Sequence, residues 1–289
     1  MSTEADAVPR RPAPVHVPPM PSSPPAVSGP PAVSGVPAAP GRNVAAAVCT
    51  ILGVGLIAGA AAGSWVTGGP HDRTTAQAAY ERGATLWQTL PVDELFPVAV
   101  HGGAAGPGGA DRDWTRTGVA PAEGCTGAFD PLLAKALAPV GCKRLLRATY
   151  TDATSTSVTT VGLLVTDADP SGMRALRKRF ADENLDERTD LMPRPYAPRG
   201  TAAARFGDAQ RASWRIDVLT DTPAVVYSVT GFADGRAGVP PQPAVRATAP
   251  GAATTAAQAG LGHDATALAE RVARGYRDAT HRTAREDEG

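Results

Sequence analysis

Residues 144–166 read RLLRATYTDATSTSVTTVGLLVT, a segment rich in residues that favour β-strands. The β-branched and aromatic residues of 144–151 and 157–166 are typical of two strands, and the polar residues between them are typical of a turn. We therefore predict a β-hairpin here, and we extend the fold outward from it in both directions along the chain.

Further strands and helices are predicted on both sides of this hairpin. They are a strand at 114–120, a helix at 131–138, a helix beginning at Pro170, and strands at 213–219 and 224–232. The order strand, helix, strand, strand, helix, strand is that of the split βαβ, or ferredoxin-like, arrangement, an antiparallel sheet with its helices on one face. We expect an α+β domain over residues 91–236, in which the additional strand extends an edge of the sheet.

The chain preceding this domain begins with a Pro-rich tail. The full sequence contains 31 Gly and 28 Pro, which is too many turn-forming residues for one evenly folded domain. Residues 1–43 hold much of this excess, including the repeat PPAVSG at 24–29 and 30–35, and we predict that they are disordered. The repeat is typical either of a docking segment for a cytoplasmic partner or of a simple spacer.

Residues 44–66, VAAAVCTILGVGLIAGAAAGSWV, contain no charge and no proline. This length of apolar sequence is typical of one transmembrane helix. The alternative is a cleaved signal peptide, but the long Pro-rich tail that precedes the segment differs from a short basic leader. Gly55, Gly59 and Gly63 recur on one face, which indicates close packing with another copy or another membrane protein; the alternative is chance spacing in a Gly/Ala-rich helix.

Cys125 and Cys142 are the cysteines outside this apolar segment, and they predict a disulfide bond. A loop of that length would contribute roughly 3 kcal/mol to stability. Because disulfides persist in oxidising compartments, we expect the C-terminal domain outside the cytoplasm and the N-terminus inside. The alternative is a pair of reduced thiols. A metal site is not expected, since two sulfurs are too few ligands.

The remaining segments flank the domain. Residues 67–90 carry an amphipathic pattern that predicts a helical stalk, and 237–260 form a Pro/Ala/Gly linker. Residues 261–289 are predicted to form an amphipathic helix, with Leu268, Val272 and Tyr276 aligned, and a charged tail.

Charge and motifs exclude several functions. Lys and Arg total 28 and so do Asp and Glu, so nothing favours binding to nucleic acid. The part outside the apolar segment has no nucleophile motif, and no cofactor is expected. His101, Asp111 and Asp113 are expected to lie in a flexible Gly/Ala-rich loop, where catalytic groups could not be held precisely enough.

The basic cluster, defined as Arg174, Arg177, Lys178 and Arg179, lies on the helix that begins at Pro170. It indicates a site for an anionic envelope polymer or lipid headgroup. The alternative is an ordinary solvated helix face, because cations near a helix C-terminus are favoured in any case.

Arginine greatly exceeds lysine, which occurs only at Lys135, Lys143 and Lys178. With the plan of Pro-rich tail, single span and external domain, the chain resembles uncharacterised single-pass membrane proteins of high-GC actinobacteria. The resemblance concerns architecture and transfers no activity. We therefore expect a membrane-anchored, non-catalytic binding or assembly module of the cell envelope, with a transmembrane sensor as the alternative and an envelope hydrolase as a less favoured one.

Overall fold

The computed structural model describes residues 70–121 and 124–286, with side chains over 75–121 and 124–284. The strands are β1 (Ala99–Gly102), β2 (Arg112–Val119), β3 (Arg144–Asp152), β4 (Ser157–Val165), β5 (Ser213–Val218), β6 (Ala224–Phe232) and β7 (Gln242–Pro243). The helices are α1 (Pro70–Gly83), α2 (Val92–Leu95), α3 (Pro131–Leu137), α4 (Pro170–Glu183), α5 (Ala244–Ala247), α6 (Thr255–Gln258) and α7 (Leu261–Glu286). Single 3-10 turns occur at Leu86–Gln88, Pro107–Gly109, Ala138–Val140, Leu185–Glu187 and Asp208–Gln210.

Within the described residues, the strands form a seven-stranded sheet in the order β1-β2-β3-β4-β6-β5-β7. Neighbouring strands are antiparallel except for β5 and β7, which are parallel. The mixed α and β content agrees with the prediction.

The predicted hairpin is present as β3 and β4 near the middle of the sheet. Every residue of β4 is buried. Gly162 of β4 pairs with Tyr227 of β6, and a Cβ atom at Gly162 would lie 2.3 Å from the tyrosine ring. Glycine is therefore required here, because the tyrosine ring occupies the space that a Cβ atom would need.

The expected placement of helices on one face holds for α3 and α4 but not for α7, which covers the other face of the sheet. On one face, α3 and α4 bury Leu133 and Phe180 against Leu164 and other residues of one apolar core. On the other face, α7 buries Val272 in a second core that contains Leu163. The reason is that β4 carries apolar residues at both odd and even positions, so both of its faces must be covered.

The expected ferredoxin-like strand order is also wrong. In a split βαβ unit another strand lies between the two strands that a helix connects. Here β2 and β3, which are connected through α3, are direct antiparallel neighbours. The seven residues of α3 span only about 10 Å at helical rise, too short to carry the chain back along a strand.

The segments predicted as stalk and linker differ from expectation, because both contain elements of the folded unit. In residues 67–90, the Tyr80 hydroxyl on α1 donates to the Ala168 carbonyl at 2.7 Å. The Tyr276 hydroxyl on α7 donates to the Gly83 carbonyl at 2.5 Å, which ties α7 to α1. Residues 237–260 include β7, α5 and α6.

Several predictions lie outside the described residues. They are the disordered tail at 1–43, the transmembrane helix at 44–66, and the packing glycines Gly55, Gly59 and Gly63. Among the helices that are described, none combines the length and apolar character needed to cross a membrane.

Candidate functional site

Strand β5 lies next to the end of the sheet, and most of its outer edge is uncovered. Strand β7 pairs only with Ser213 and Trp214, after which the chain leaves the sheet into α5. The Trp214 indole donates to the Asp186 carbonyl at 2.9 Å and fixes this end of the strand. The rest of β5 has no neighbouring strand on this side among the described residues.

The hydrogen-bond phase of β5 determines which peptide groups point outward. The Leu219 amide donates to the Ala224 carbonyl at 3.0 Å, so these two residues form a hydrogen-bonded pair. The pairing of β5 with β6 continues from Val218 opposite Val225 without a shift in register. Because bonded pairs alternate in an antiparallel ladder, Arg215 and Asp217 direct their peptide groups towards β6. Ile216 and Val218 therefore direct theirs to the open edge, where the described residues provide no hydrogen-bond partner.

A cleft of about 550 Å³ runs along this edge. We call it the β5 cleft: Ile216 and Val218 form its floor, Phe180 and Ala181 of α4 form one wall, and Ala273 of α7 lies in the other. A smaller cleft of about 180 Å³ continues along the same strand towards α5. The open edge is thus recessed between two helices.

The two sides of the β5 cleft differ in chemistry because side chains alternate along β5. Ile216 packs in the core under α4, where Phe180 is also buried, so this side is apolar apart from Arg177 of α4. Arg215 points to the α7 side, where it forms an ion pair with Glu270 at 3.1 Å. Asp217 lies on the same side and pairs with Arg215 at 2.8 Å.

Positive charge slightly exceeds negative charge in the β5 cleft. The lining residues include Arg177, Arg215, Arg274 and Arg277, against Asp186, Asp217 and Glu270. Glu270 serves two arginines, since Arg274 also contacts it at 3.2 Å. Burial raises the pKa of the Asp186 carboxyl, and the carboxylates of Glu187 and Asp217 raise it further, so Asp186 contributes its negative charge less readily than an exposed aspartate.

The basic cluster divides between the helix surface and the β5 cleft. All four side chains are exposed. Lys178 pairs with Asp182 at 2.5 Å and Arg179 pairs with Glu183 at 3.0 Å, which neutralises much of the predicted charge. Arg177 lines the β5 cleft, and no ion pair to it is found within the described part of the chain. Arg174 lies elsewhere on α4 and does not line the cleft.

Cys125 and Cys142 lie at disulfide-bonding distance, with Cα atoms 6.2 Å apart. This separation fits a disulfide, as the sequence predicts. The pair joins the segment before α3 to the segment before β3 and so encloses α3. An apolar cleft of about 200 Å³ lies beside it, lined in part by Phe129 and Leu164.

The expected placement of His101 and Asp113 on a flexible loop is wrong, because they lie on β1 and β2 and the strand pairing brings them together. The His101 Nδ1 atom lies 2.8 Å from the Asp113 carboxylate, and this hydrogen bond, with the charge of Asp113, raises the pKa of the imidazole. Asp111 instead accepts from the Ala104 amide at 2.8 Å, which holds the loop. His101 is 65% exposed, so the pair is open to solvent. Among the described residues, no group of three or more His, Cys, Asp or Glu side chains could hold a metal ion.

The β5 cleft was missed at the sequence level. The basic cluster includes Arg177, and Asp186 follows it in the turn after α4, but the other charged lining residues come from β5 and α7, far apart in sequence. The sequence feature that indicated an exposed strand was the triplet Arg215, Ile216 and Asp217, because alternation of charged and apolar residues is typical of a strand near water.

Comparison of the sequence with models of protein families, with curated proteins and with solved structures found no match. No activity is therefore transferred from a relative, and the function is argued from the geometry of the chain itself.

Proposed function

We propose that the folded unit is a non-catalytic binding module of the cell envelope, anchored by residues 44–66, exposed outside the cytoplasm, and holding its ligand in the β5 cleft. The observation that carries the proposal is the open edge of β5 recessed between α4 and α7. Ligand sites are commonly concave, preformed and built from apolar walls with a few placed polar groups.

The composition of the β5 cleft supports a binding role. Its floor offers the peptide groups of Ile216 and Val218, which have no partner among the described residues. One wall offers apolar contact at Phe180, and the other offers charge at Arg274. A ligand could therefore satisfy backbone hydrogen bonds and bury apolar surface at the same time.

We do not propose a catalytic role, because the acid–base candidates His101 and Asp113 do not line the β5 cleft. His101 and Asp113 are on β1 and β2, at the opposite end of the strand order from β5. Their exposure to water removes the desolvated environment in which catalytic groups are usually effective.

Site-specific photocrosslinking in intact cells tests the proposal. A benzophenone amino acid replaces Ala181, which lines the β5 cleft, or Ala175, which is exposed on the same helix but outside the cleft. We expect a discrete adduct from position 181 and none from position 175. The adduct at 181 should disappear when Arg274→Trp fills the cleft from the opposite wall.

Two results would overturn the proposal. One is the absence of any adduct at position 181. The other is an equal adduct at positions 175 and 181, which would mean that contact with α4 is not confined to the β5 cleft.

A further inference from the structure

We propose that the ligand of the β5 cleft is a short acidic peptide segment that binds in an extended conformation and adds a strand to the open edge of β5. This inference rests on the proposed function and specifies the class of ligand. Three features of the described residues carry it: the backbone phase of β5, the sidedness of the cleft and its charge.

The direction of the unpaired peptide groups of β5 favours a β-strand as the ligand of the β5 cleft. Ile216 and Val218 each present an amide and a carbonyl on the same edge, at the two-residue spacing that an added strand requires. Ile216 is only 6% exposed and Val218 is partly buried, so both residues lie in the recessed part of the β5 cleft. Buried peptide groups without a partner are costly, and pairing with a strand would satisfy both residues.

The sidedness of the β5 cleft predicts the side-chain pattern of that strand. Successive side chains of a strand point to opposite faces. One set would meet the apolar wall at Phe180 and Ala181, and the other set would meet the charged wall at Arg274. The fitting peptide therefore alternates small apolar residues with charged ones.

The charge of the β5 cleft favours acidic residues in the charged set. On the α7 side, Arg215 pairs with both Asp217 and Glu270, and Arg274 also contacts Glu270, so two acids balance these two bases. Arg177 has no ion pair within the described residues, and Arg277 is paired with Asp221, which lies outside the lining. A carboxylate on the ligand would pair with Arg177, whereas lysines would add to the positive excess of the lining.

A second copy of the chain fits the edge poorly. If two β5 strands paired in antiparallel fashion about Ile216, Val218 of one copy would lie beside Trp214 of the other. That position is already occupied by Pro243 of β7. The uncovered edge thus accepts a strand of about four or five residues that ends at β7, and it does not accept a full β5.

Fluorescence anisotropy with synthetic peptides and the full chain in detergent tests the inference. The probe is a labelled five-residue peptide that alternates glutamate with valine. The comparison peptides replace glutamate by lysine, or carry N-methyl groups on the amides that would face β5. We expect the glutamate peptide to bind more than about tenfold more tightly than either comparison peptide. Ala181→Trp should weaken its binding by roughly tenfold or more, and Ala175→Trp should leave it unchanged.

Each alternative occupant gives a different result. Unchanged binding after N-methylation would mean that only charge is recognised, as with an anionic polymer or lipid, and would overturn strand addition. Equal binding of the lysine peptide would overturn the acidic preference. A dimer that dissociates on Ala181→Trp would identify a second copy as the occupant.

The two experiments distinguish a failure of the acidic-strand inference from a failure of the proposed function. If the peptides do not bind while the adduct at position 181 persists, the β5 cleft remains the binding site and the ligand is not an acidic strand. If both results are negative, neither proposal stands.

Discussion

Asp264 is a fully buried carboxylate in the first turn of α7, and its contacts hold the helix on the sheet. Arg112 of β2 binds both of its oxygens, with the shortest contact at 2.6 Å. The Ser157 hydroxyl donates to it at 2.6 Å and the Trp114 indole at 3.2 Å. Burial raises the pKa of Asp264 despite these donors. Removing one partner from such a pair leaves a buried charge without compensation.

Arg112→Met should therefore lower the free energy of unfolding by about 3–5 kcal/mol at pH 7. The loss should be smaller at pH 5. Arg112 lowers the pKa of Asp264, so its removal raises that pKa further, and the penalty for the buried charge is relieved as the pH falls through the raised value. Urea unfolding of the variant and the original chain at both pH values measures the difference.

The matched control is Arg236→Met, because Arg236 pairs with Asp234 on the surface. It should cost much less than Arg112→Met at either pH, because solvent screens an exposed ion pair. A loss of similar size in both variants would contradict the structural role given to Asp264.

The His101–Asp113 pair gives a second expectation for single residues. The hydrogen bond to Asp113 raises the pKa of His101, so the pair stabilises the fold below the ordinary histidine pKa of about 6.5. This contribution is lost as the pH rises through the folded-state pKa. Asp113→Asn should shift the His101 titration to lower pH, as measured by NMR. An unshifted titration would mean that the two side chains do not pair in solution.

At the scale of elements, α7 provides the cover for one face of the sheet. Leu268 and Val272 are buried in the core shared with β4. Leu268→Ala should lower the free energy of unfolding by about 2–5 kcal/mol, because it opens a cavity against the sheet. Leu132→Ala on α3 is the control, since Leu132 is 46% exposed and its loss should cost much less. Equal losses in chemical denaturation would indicate that α7 does not pack as described.

The sequence predicts individual elements better than their arrangement. The hairpin of β3 and β4 follows from local alternation, and the aligned Leu268, Val272 and Tyr276 of α7 follow from helical periodicity. Periodicity does not say which face of which sheet a helix will cover. The burial of β4 on both faces was visible as apolar residues at odd and even positions, and it argued against helices on a single face.

At the scale of the whole molecule, the β5 cleft depends on strand order, which local sequence does not encode. Arg215 and Glu270 are 55 positions apart, yet they meet because α7 crosses the sheet beside β5. The open edge exists because β7 stops at Pro243 and the chain turns into α5. The burial of Asp264 could be predicted from the sequence, because Asp264 precedes Leu268 by one helical turn and so lies on the buried face of α7.

Amide hydrogen exchange of β5 in the full chain tests the open edge most directly. In the absence of ligand, the amides of Arg215 and Asp217 should be protected by β6, and those of Ile216 and Val218 should exchange faster by more than about tenfold. Adding the glutamate–valine peptide should slow exchange at Ile216 and Val218 and leave Arg215 and Asp217 unchanged. Equal protection of all four amides in the free chain would contradict the account, because the edge of β5 would then already be paired.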